Sequence, residues 1–413
     1  MRVLARLRKW EFLRYLGPGF LVTVGFIDPG NWATNIAGGA DFNYRLLWVI
    51  TLSTLMLILL QNMAARLGLI SGRSLAANVR QRFPRWVSAI FGITIVIACA
   101  ATDLAEYLGA ALGFHLLFPI IPLWAGALLT VVIVLLMILG QRYYRLERMI
   151  IAFLAVIAGC YVIELFLVHP DWGQALPCMV FPSVHSGSIL VAMGMLGAVV
   201  MPHNIYLHSN VIQSRDWTGD EKRVQGLMRY ELLDTVLAMG AGWVVNCSMI
   251  IVAAAVFFRH HVPVHSIEQA SATLEPLAGV MARLLFGVAL LFAGVGSSIT
   301  SSMSEANVIT GYLGKPEDPH SWTYRVGLVA TSIPAMIVIM FTTDSYRALI
   351  LSQVALSIQL PLTIIPLLLL AGNRAVMGQY TAVRWEKILG WVVALIVILL
   401  NGLLLYQTFG GTF

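Results

Sequence analysis

The stretch Gly25-Phe26-Ile27-Asp28-Pro29-Gly30-Asn31 decides how this chain is read. It lies inside an apolar run covering about residues 16–39, where a carboxylate, a helix breaker, a glycine and an amide follow one another. Pro29 has no N–H and its ring clashes with the carbonyl four residues back, so in a helix the C=O of Gly25 loses its usual partner. At the centre of a membrane helix an acidic residue costs about 2.5–3.5 kcal/mol on insertion scales, and it normally faces a cavity on a transport pathway. The segment therefore predicts an interrupted span with a carboxylate and an oriented oxygen near the bilayer midplane.

The rest of the chain supplies the membrane. Only 11% of the 413 residues are Asp, Glu, Lys or Arg and 59% are hydrophobic, against about 25% charged in a soluble chain. With a mean hydropathy of +0.83, the apolar surface exceeds what a core consumes, which excludes a soluble globular enzyme. Apolar runs long enough to span fall at 16–39, 46–68, 86–113, 120–140, 149–168, 188–212, 232–257, 277–300, 325–342, 348–371 and 387–408. They predict an all-α polytopic membrane protein with about 11 transmembrane helices. Residues 1–413 are expected to form one transmembrane domain.

A net charge of +6 would suit nucleic acid if the basic residues formed a patch, but they punctuate the apolar runs. With the N-terminus inside, Arg45, Arg259, Arg283 and Arg347 are the members of the 26 Lys and Arg that fall on or near the outer face. This bias sets the orientation. The expectation is a multi-pass protein of the cell (inner) membrane, N-terminus cytoplasmic and C-terminus outside, surrounded by lipid and without a nucleic-acid partner. The basic start is not read as a cleaved signal, because Pro18, Asp28 and Pro29 interrupt the run behind it. Cys99, Cys160, Cys178 and Cys247 have neither paired nor zinc-binding spacing.

The sixth run repeats the device in Gly197-Ala198-Val199-Val200-Met201-Pro202-His203-Asn204, where Pro202 frees the C=O of Ala198. Breaks in the first and sixth spans predict two inverted repeats of five helices, about 16–168 and 188–371, whose half-helices meet at a midplane substrate site. The helix at 387–408 is then an addition. Asp28 and Asn31 offer hard oxygens, Gly25 and Ala198 freed carbonyls, and Met201 a thioether. Mixed oxygen and sulfur ligation suits a transition-metal dication, whereas Mg²⁺ and Ca²⁺ prefer oxygen alone. A Met in a membrane helix is ordinarily packing; its place beside Pro202 and His203 in a broken helix singles Met201 out.

Asp103 and Glu106 interrupt the third run three positions apart, on one helical face. Buried carboxyls so spaced suggest a proton relay, the alternative being a kink cap and a headgroup contact. A bound dication expels the proton of a buried carboxyl, so Asp28 would link metal entry to proton release. His203 belongs to the residue type that titrates near neutrality and can assist, or can serve as a structural hydrogen-bonding group. Glu164, Glu231, Asp234, Glu275 and Glu305 are read as lying near helix ends, where a solvated or paired carboxylate needs no function. Asn246 is read as a polar contact to the pathway, and His260, His261 and His265 as an exposed outer loop.

Asp28-Pro29-Gly30-Asn31, Met201-Pro202-His203, the run from Asn31 to Gly39 and Ala64-Ala65-Arg66-Leu67-Gly68 together resemble the NRAMP (natural-resistance-associated macrophage protein) transporters. The resemblance implies a LeuT-like fold of 5+5 inverted repeats and proton-coupled import of Mn²⁺ and Fe²⁺. It implies Asp28, Asn31, Met201 and the carbonyls of Gly25 and Ala198 as metal ligands, joined in some states by Gln353. It favours a relay through Asp103 and Glu106, with Arg215 receiving the proton; Arg325 is expected to pair with these acids or to be an ordinary cytoplasmic anchor. The sequence departs from the family at Gly25, where Ala is common, and along 296–307. No cofactor and no catalytic residue is expected, and the chain is expected to be a monomer. The alternatives are a Na⁺- or H⁺-coupled carrier of amino acids or organic cations with the same fold, a channel, and an intramembrane metalloenzyme, for which no nucleophile-and-base pair is found.

Overall fold

The computed structural model describes residues 14–140, 143–183, 187–217, 221–342 and 344–408. Among them there is no β-strand. The first span is split into α1 (Pro18–Gly25) and α2 (Pro29–Phe42), and a 3₁₀ turn at Asn43–Leu46 leads into α3 (Leu47–Ser71). Then follow α4 (Leu75–Arg82), α5 (Arg85–Leu117), α6 (Leu123–Gly140), α7 (Tyr143–Val168) and α8 (Trp172–Cys178). The sixth span is likewise split into α9 (Ile189–Val199) and α10 (Pro202–Val211). The remainder comprises α11 (Glu221–Ala253) with a π-helical end at Ala254–Phe258, α12 (Ile267–Ala278), α13 (Val280–Leu313), α14 (Trp322–Ala330), α15 (Ser332–Phe341), α16 (Ser345–Ala371), α17 (Arg374–Met377) and α18 (Arg384–Thr408).

Both breaks fall where the sequence demands them. Pro29 and Pro202 occupy the first turns of α2 and α10, positions where a missing N–H costs nothing. Among the described residues, ten helical runs are long and apolar enough to cross a membrane. One of them, Pro29–Ser71, joins α2 to α3 through the 3₁₀ turn and so carries parts of two expected spans. The chain is a multi-pass membrane protein.

Four features differ from the sequence reading. The eighth span was expected at 277–300, yet α13 continues to Leu313. The seventh begins at Glu221, about a dozen residues before the apolar run. The ninth is two pieces meeting at Thr331, because Pro334 withholds the N–H that the carbonyl of Ala330 would accept. The short α4, α8 and α12 lie between the apolar runs and start at side-chain caps from Ser74, Asp171 and Ser266.

Two of the longest helices, α5 and α13, form the most extensive packing among the described residues. They stand beside the two split spans, with α16 packed against α5 and α9. Ile93 and Ile97 of α5, Leu136 of α6 and Leu399 of α18 point outward and are exposed. Asp28, Asn31, Asp103, Glu106, His203 and Gln353 are wholly buried. This distribution, apolar outside and polar within, is that of a protein whose solvent is lipid and whose function lies inside.

Candidate metal site at the two helix breaks

Asp28 is the N-cap of α2. Its Oδ1 accepts from the N–H of Asn31 at 2.9 Å and its Oδ2 from the N–H of Gly30 at 3.2 Å. The carboxylate therefore sits at the positive end of a half-helix dipole, which stabilises negative charge. From α16, Gln353 donates its Nε2 to Asp28 Oδ2 at 3.1 Å. Asn31 Nδ2 bonds to Phe26 O and lies 3.4 Å from the carbonyl of Ala198 on α9. The carbonyl freed by Pro202 thus meets a side chain from the first break.

The second break contributes Met201, the N-cap of α10, whose sulfur accepts from Asn204 Nδ2 at 3.6 Å. A Cβ built on Gly25 would stand 2.4 Å from Asn204 Nδ2, so Gly25 and Asn204 hold the halves in close contact. The structure links Asp28, Asn31 and Ala198 directly, places Gln353 against Asp28, and sets Gly25 and Met201 against Asn204. It adds Asn204, which the sequence reading passed over. The signal was available: Asn204 stands three residues after the break, where an amide meets the first turn of the half-helix.

Asn31 Oδ1, Asn204 Oδ1 and Gln353 Oε1 are buried with no hydrogen-bond partner among the described residues. Orphaned oxygens are costly in a low-dielectric interior, and here they are acceptors around one carboxylate and one thioether. Such a set can receive a dication. No group of three His, Cys, Asp or Glu placed to hold a metal ion occurs among the described residues; the donors at the breaks are one carboxylate with amides, carbonyls and sulfur. Gly30 makes room for Gln353, since a Cβ there would lie 1.6 Å from Gln353 Nε2. We expect Gly30→Ala to push Gln353 off Asp28 and to destabilise the fold by about 1–3 kcal/mol, the usual range for overpacking. A lowered thermal midpoint in detergent checks it.

Asn246 of α11 also reaches this region, donating to Phe26 O at 3.4 Å and accepting from Asn35 Nδ2 at 2.8 Å. Nothing opens the site to either face. Asp28, Asn31, Met201 and Gln353 have no exposed surface, the hydroxyl of Tyr346 bonds to Ala33 O at 3.2 Å, and those of Tyr206 and Tyr312 bond at 2.8 Å.

The expected proton-pathway residues divide. Asp103 and Glu106 are buried on α5, and His203 joins them through Thr102, whose Oγ1 lies 3.4 Å from His203 Nδ1. Arg215 does not reach these acids. It pairs with Glu147 at 2.5 Å and bonds to Leu16 O at 3.0 Å and Arg14 O at 2.8 Å. Arg325 is exposed at the start of α14, its guanidinium 3.4 Å from Pro319 O. The placing of Glu305 near a helix end is corrected: it is buried well inside α13, beside Asp103. Its sequence signal was a run of Ser and Thr that reads as loop but is helix. Glu164, Glu231 and Asp234 are buried as well, while Glu275 forms the expected pair, with Arg283 at 2.6 Å.

On the basic face, a cavity of about 470 Å³ is lined by Ser74, Asn210, Met303, Asn307, Lys315 and Glu317 among others. Glu317 spans it, accepting from Ser74 Oγ at 2.6 Å and from Asn210 Nδ2. Burial pushes its carboxyl above the usual range, against the pull of these two donors. A raised folded-state value means that the group stabilises the fold fully at acidic pH and that this contribution is lost as pH rises through the shifted value. Thermal midpoints should therefore fall from acidic to mildly alkaline pH, and Glu317→Gln should show a smaller slope than the wild type.

Two interrupted spans that close on one buried carboxylate, with no exposed surface at the site, define the class: a membrane transporter of the broken-helix type. A family model described as natural resistance-associated macrophage protein-like matches residues 19–407, and the chain belongs to that family, Nramp. It is 41% identical over 404 residues to a divalent metal cation transporter MntH of Caldanaerobacter subterraneus, covering 97% of this chain and 94% of that one. With an MntH of Clostridium acetobutylicum the identity is 43% over 401 residues, covering 97% and 92%. A crystal structure of the Eremococcus coleocola manganese transporter superposes with a TM-score of 0.81 at 33% identity, covering 95% of this chain and 86% of that chain. Mhp1, a nucleobase-cation-symport-1 family transporter, matches at a TM-score of 0.61 and 15% identity. That likeness shows the LeuT-like fold alone. The family and these relatives are transporters, not enzymes.

Proposed function

We propose that this protein imports a divalent transition metal, Mn²⁺ or Fe²⁺, together with protons, by alternating access about the site at the two helix breaks. One observation carries the reading: the two helix breaks meet, with Asp28, Asn31 and the carbonyl of Ala198 linked across them and amide oxygens left without partners among the described residues. Asp28 supplies the charge, Asn31 and Gln353 supply amide oxygens, Gly25 and Ala198 carbonyls, and Met201 the sulfur. The Asp28 oxygens are satisfied by two backbone N–H groups and by Gln353. A metal entering between them takes the oxygens of the same amides, so Gln353 need only turn from donating to ligating. The names of the relatives, divalent metal cation transporter and manganese transporter, support the metal.

A dication on Asp28 excludes a proton from it, and the buried acids of α5 and α13 offer that proton a route. The two five-helix repeats, 16–168 and 188–371, would supply the two halves that rock about the site within one domain, as a monomer in the cell (inner) membrane. The excess of Lys and Arg between alternate apolar runs supports a cytoplasmic N-terminus and an outside C-terminus. Arg215 and Arg325 fit this topology as residues of the cytoplasmic face. A carrier of amino acids or organic cations would need room for a larger substrate, and a donor set that joins a carboxylate and amide oxygens to a thioether favours a bare metal ion. The test is Mn²⁺ uptake into sealed proteoliposomes holding a pH-sensitive dye: uptake with metal-driven acidification is expected, and uptake without acidification removes the symport.

A further inference from the structure

Three carboxyl groups, Asp103 and Glu106 of α5 and Glu305 of α13, lie buried together, and the hydroxyls around them supply too few protons. Ser301 Oγ stands 3.0 Å from Asp103 Oδ1 and 3.3 Å from Glu305 Oε1, yet it has one hydrogen to give. Thr331 Oγ1 donates to Glu305 Oε2. Ser332 Oγ lies 3.4 Å from Asp103 Oδ2 and 2.7 Å from the hydroxyl of Tyr107. Ser301 Oγ thus bridges the carboxyls of Asp103 and Glu305. Its one hydrogen serves one of them, so the other bonds to the hydroxyl oxygen only by carrying a proton itself. None of the ion pairs among the described residues involves these acids.

The groups facing the pair are known from each neighbouring element. α5 brings Cys99, Glu106 and Tyr107, and Glu106 has both oxygens buried and unpartnered. α10 brings His203, whose carbonyl accepts from Ser304 at 2.6 Å. The break at Thr331 turns two hydroxyls of the ninth span inward, and α2 presents Asp28, which with Asp103 is within electrostatic reach of Glu106. Among the described residues no Lys or Arg pairs with these groups.

We propose that Asp103 and Glu305 form one acid pair holding a single shared proton, and that this pair is the next proton station beyond Glu106 on the route from Asp28. The inference rests on the proton-coupled reading and adds to it a residue from α13. Acids bridged by one hydroxyl cannot both ionise in a buried site, so the pair exchanges one proton as a unit and behaves as one acid. The resting pair carries one proton and one negative charge; a proton passed on from Glu106 makes it neutral, and release of H⁺ on the far side returns it to one negative charge.

The experiment uses the full chain in lipid vesicles and two readouts. Infrared spectra of the wild type should show a deuterium-sensitive carboxylic-acid band that Glu305→Gln and Asp103→Asn each remove, and the double variant should remove no more. Separate bands lost by the two variants, or a band that survives Glu305→Gln, overturn the shared proton. Glu305→Gln keeps the shape of the side chain and can donate to Asp103 without any titrating proton, so it should fold. It should bind Mn²⁺ in calorimetry yet lose metal-driven acidification, and Glu305→Asp should restore part of it. Acidification at the wild-type ratio in Glu305→Gln overturns the place of the pair on the route. If the wild type itself shows no acidification, the symport falls, and the infrared result still decides whether the pair shares a proton.

Discussion

Replacing Asp28 with Asn is expected to lower Mn²⁺ uptake by more than about a hundredfold while leaving the protein folded. Outer-shell partners of a metal are worth about 10–100-fold in affinity or activity, and Asp28 supplies the only formal charge among the proposed donors. The substitution is chosen for what it preserves. Asp28 caps α2 by accepting from the N–H groups of Gly30 and Asn31, and Asn serves as an N-cap about as well as Asp, whereas Ala would cost about 1 kcal/mol. Asp28→Asn should therefore elute as a single species with a near wild-type thermal midpoint, and Asp28→Ala should be equally inactive and somewhat less stable. Mn²⁺ transport at the normal rate in either variant would make the site assignment wrong.

For Met201→Ala the expected result is a change of selectivity. Its sulfur is the one soft donor in a set otherwise made of oxygens, and oxygen-only shells are what Mg²⁺ and Ca²⁺ prefer. Removing it should leave Mn²⁺ uptake within a few-fold of wild type and strengthen inhibition by Ca²⁺ about tenfold, read as the Ca²⁺ concentration that halves Mn²⁺ uptake. Met201 makes no side-chain cap to α10, so its truncation does not unfasten the half-helix. The space left by the side chain would be polar enough on one side to take water, and Asn204, which now donates to the sulfur, would turn toward the ion. Unchanged competition by both Ca²⁺ and Mg²⁺ would end the sulfur-filter argument.

The breaks at Pro29 and Pro202 were legible because proline acts on the backbone itself: it removes a donor whatever surrounds it, and no tertiary contact restores one. The spans were legible because lipid enforces length and apolarity. What escaped was the part of the site written in small polar residues. From Ser297 to Ser304 hydropathy falls, and the eighth span appears to stop about a dozen residues early. The structure keeps this run helical by turning hydroxyls back onto the helix: Ser298 bonds to Gly294 O at 2.7 Å and Thr300 to Ser297 O at 2.8 Å. A hydroxyl satisfied in this way costs little in a membrane interior, so polarity there is no sign of an end. Glu305 was missed with it, and so were Thr331 and Ser332, whose inward turn depends on Pro334 acting on its neighbours. Arg215 was read as a proton acceptor because its position at the cytoplasmic end was visible and its partner, Glu147 on another span, was not.

That pairing has a consequence for the rate of transport. The free end of α1 is held at several points at once: Asp234 accepts from the N–H of Gly17 at 2.9 Å and of Gly19 at 2.7 Å, and Arg215, locked to Glu147, binds the carbonyls of Arg14 and Leu16. Any opening that swings α1 away from α11 must give up these bonds together, because they fasten one rigid end. Water has to arrive as they part. A metal at the far end of the half-helix would then dictate only whether the closed form is preferred; how often it opens would be set some residues away, by the hydration of two carboxylates, Asp234 and Glu147, and one guanidinium. Affinity and turnover are in this way lodged at opposite ends of an eight-residue helix and can be altered separately.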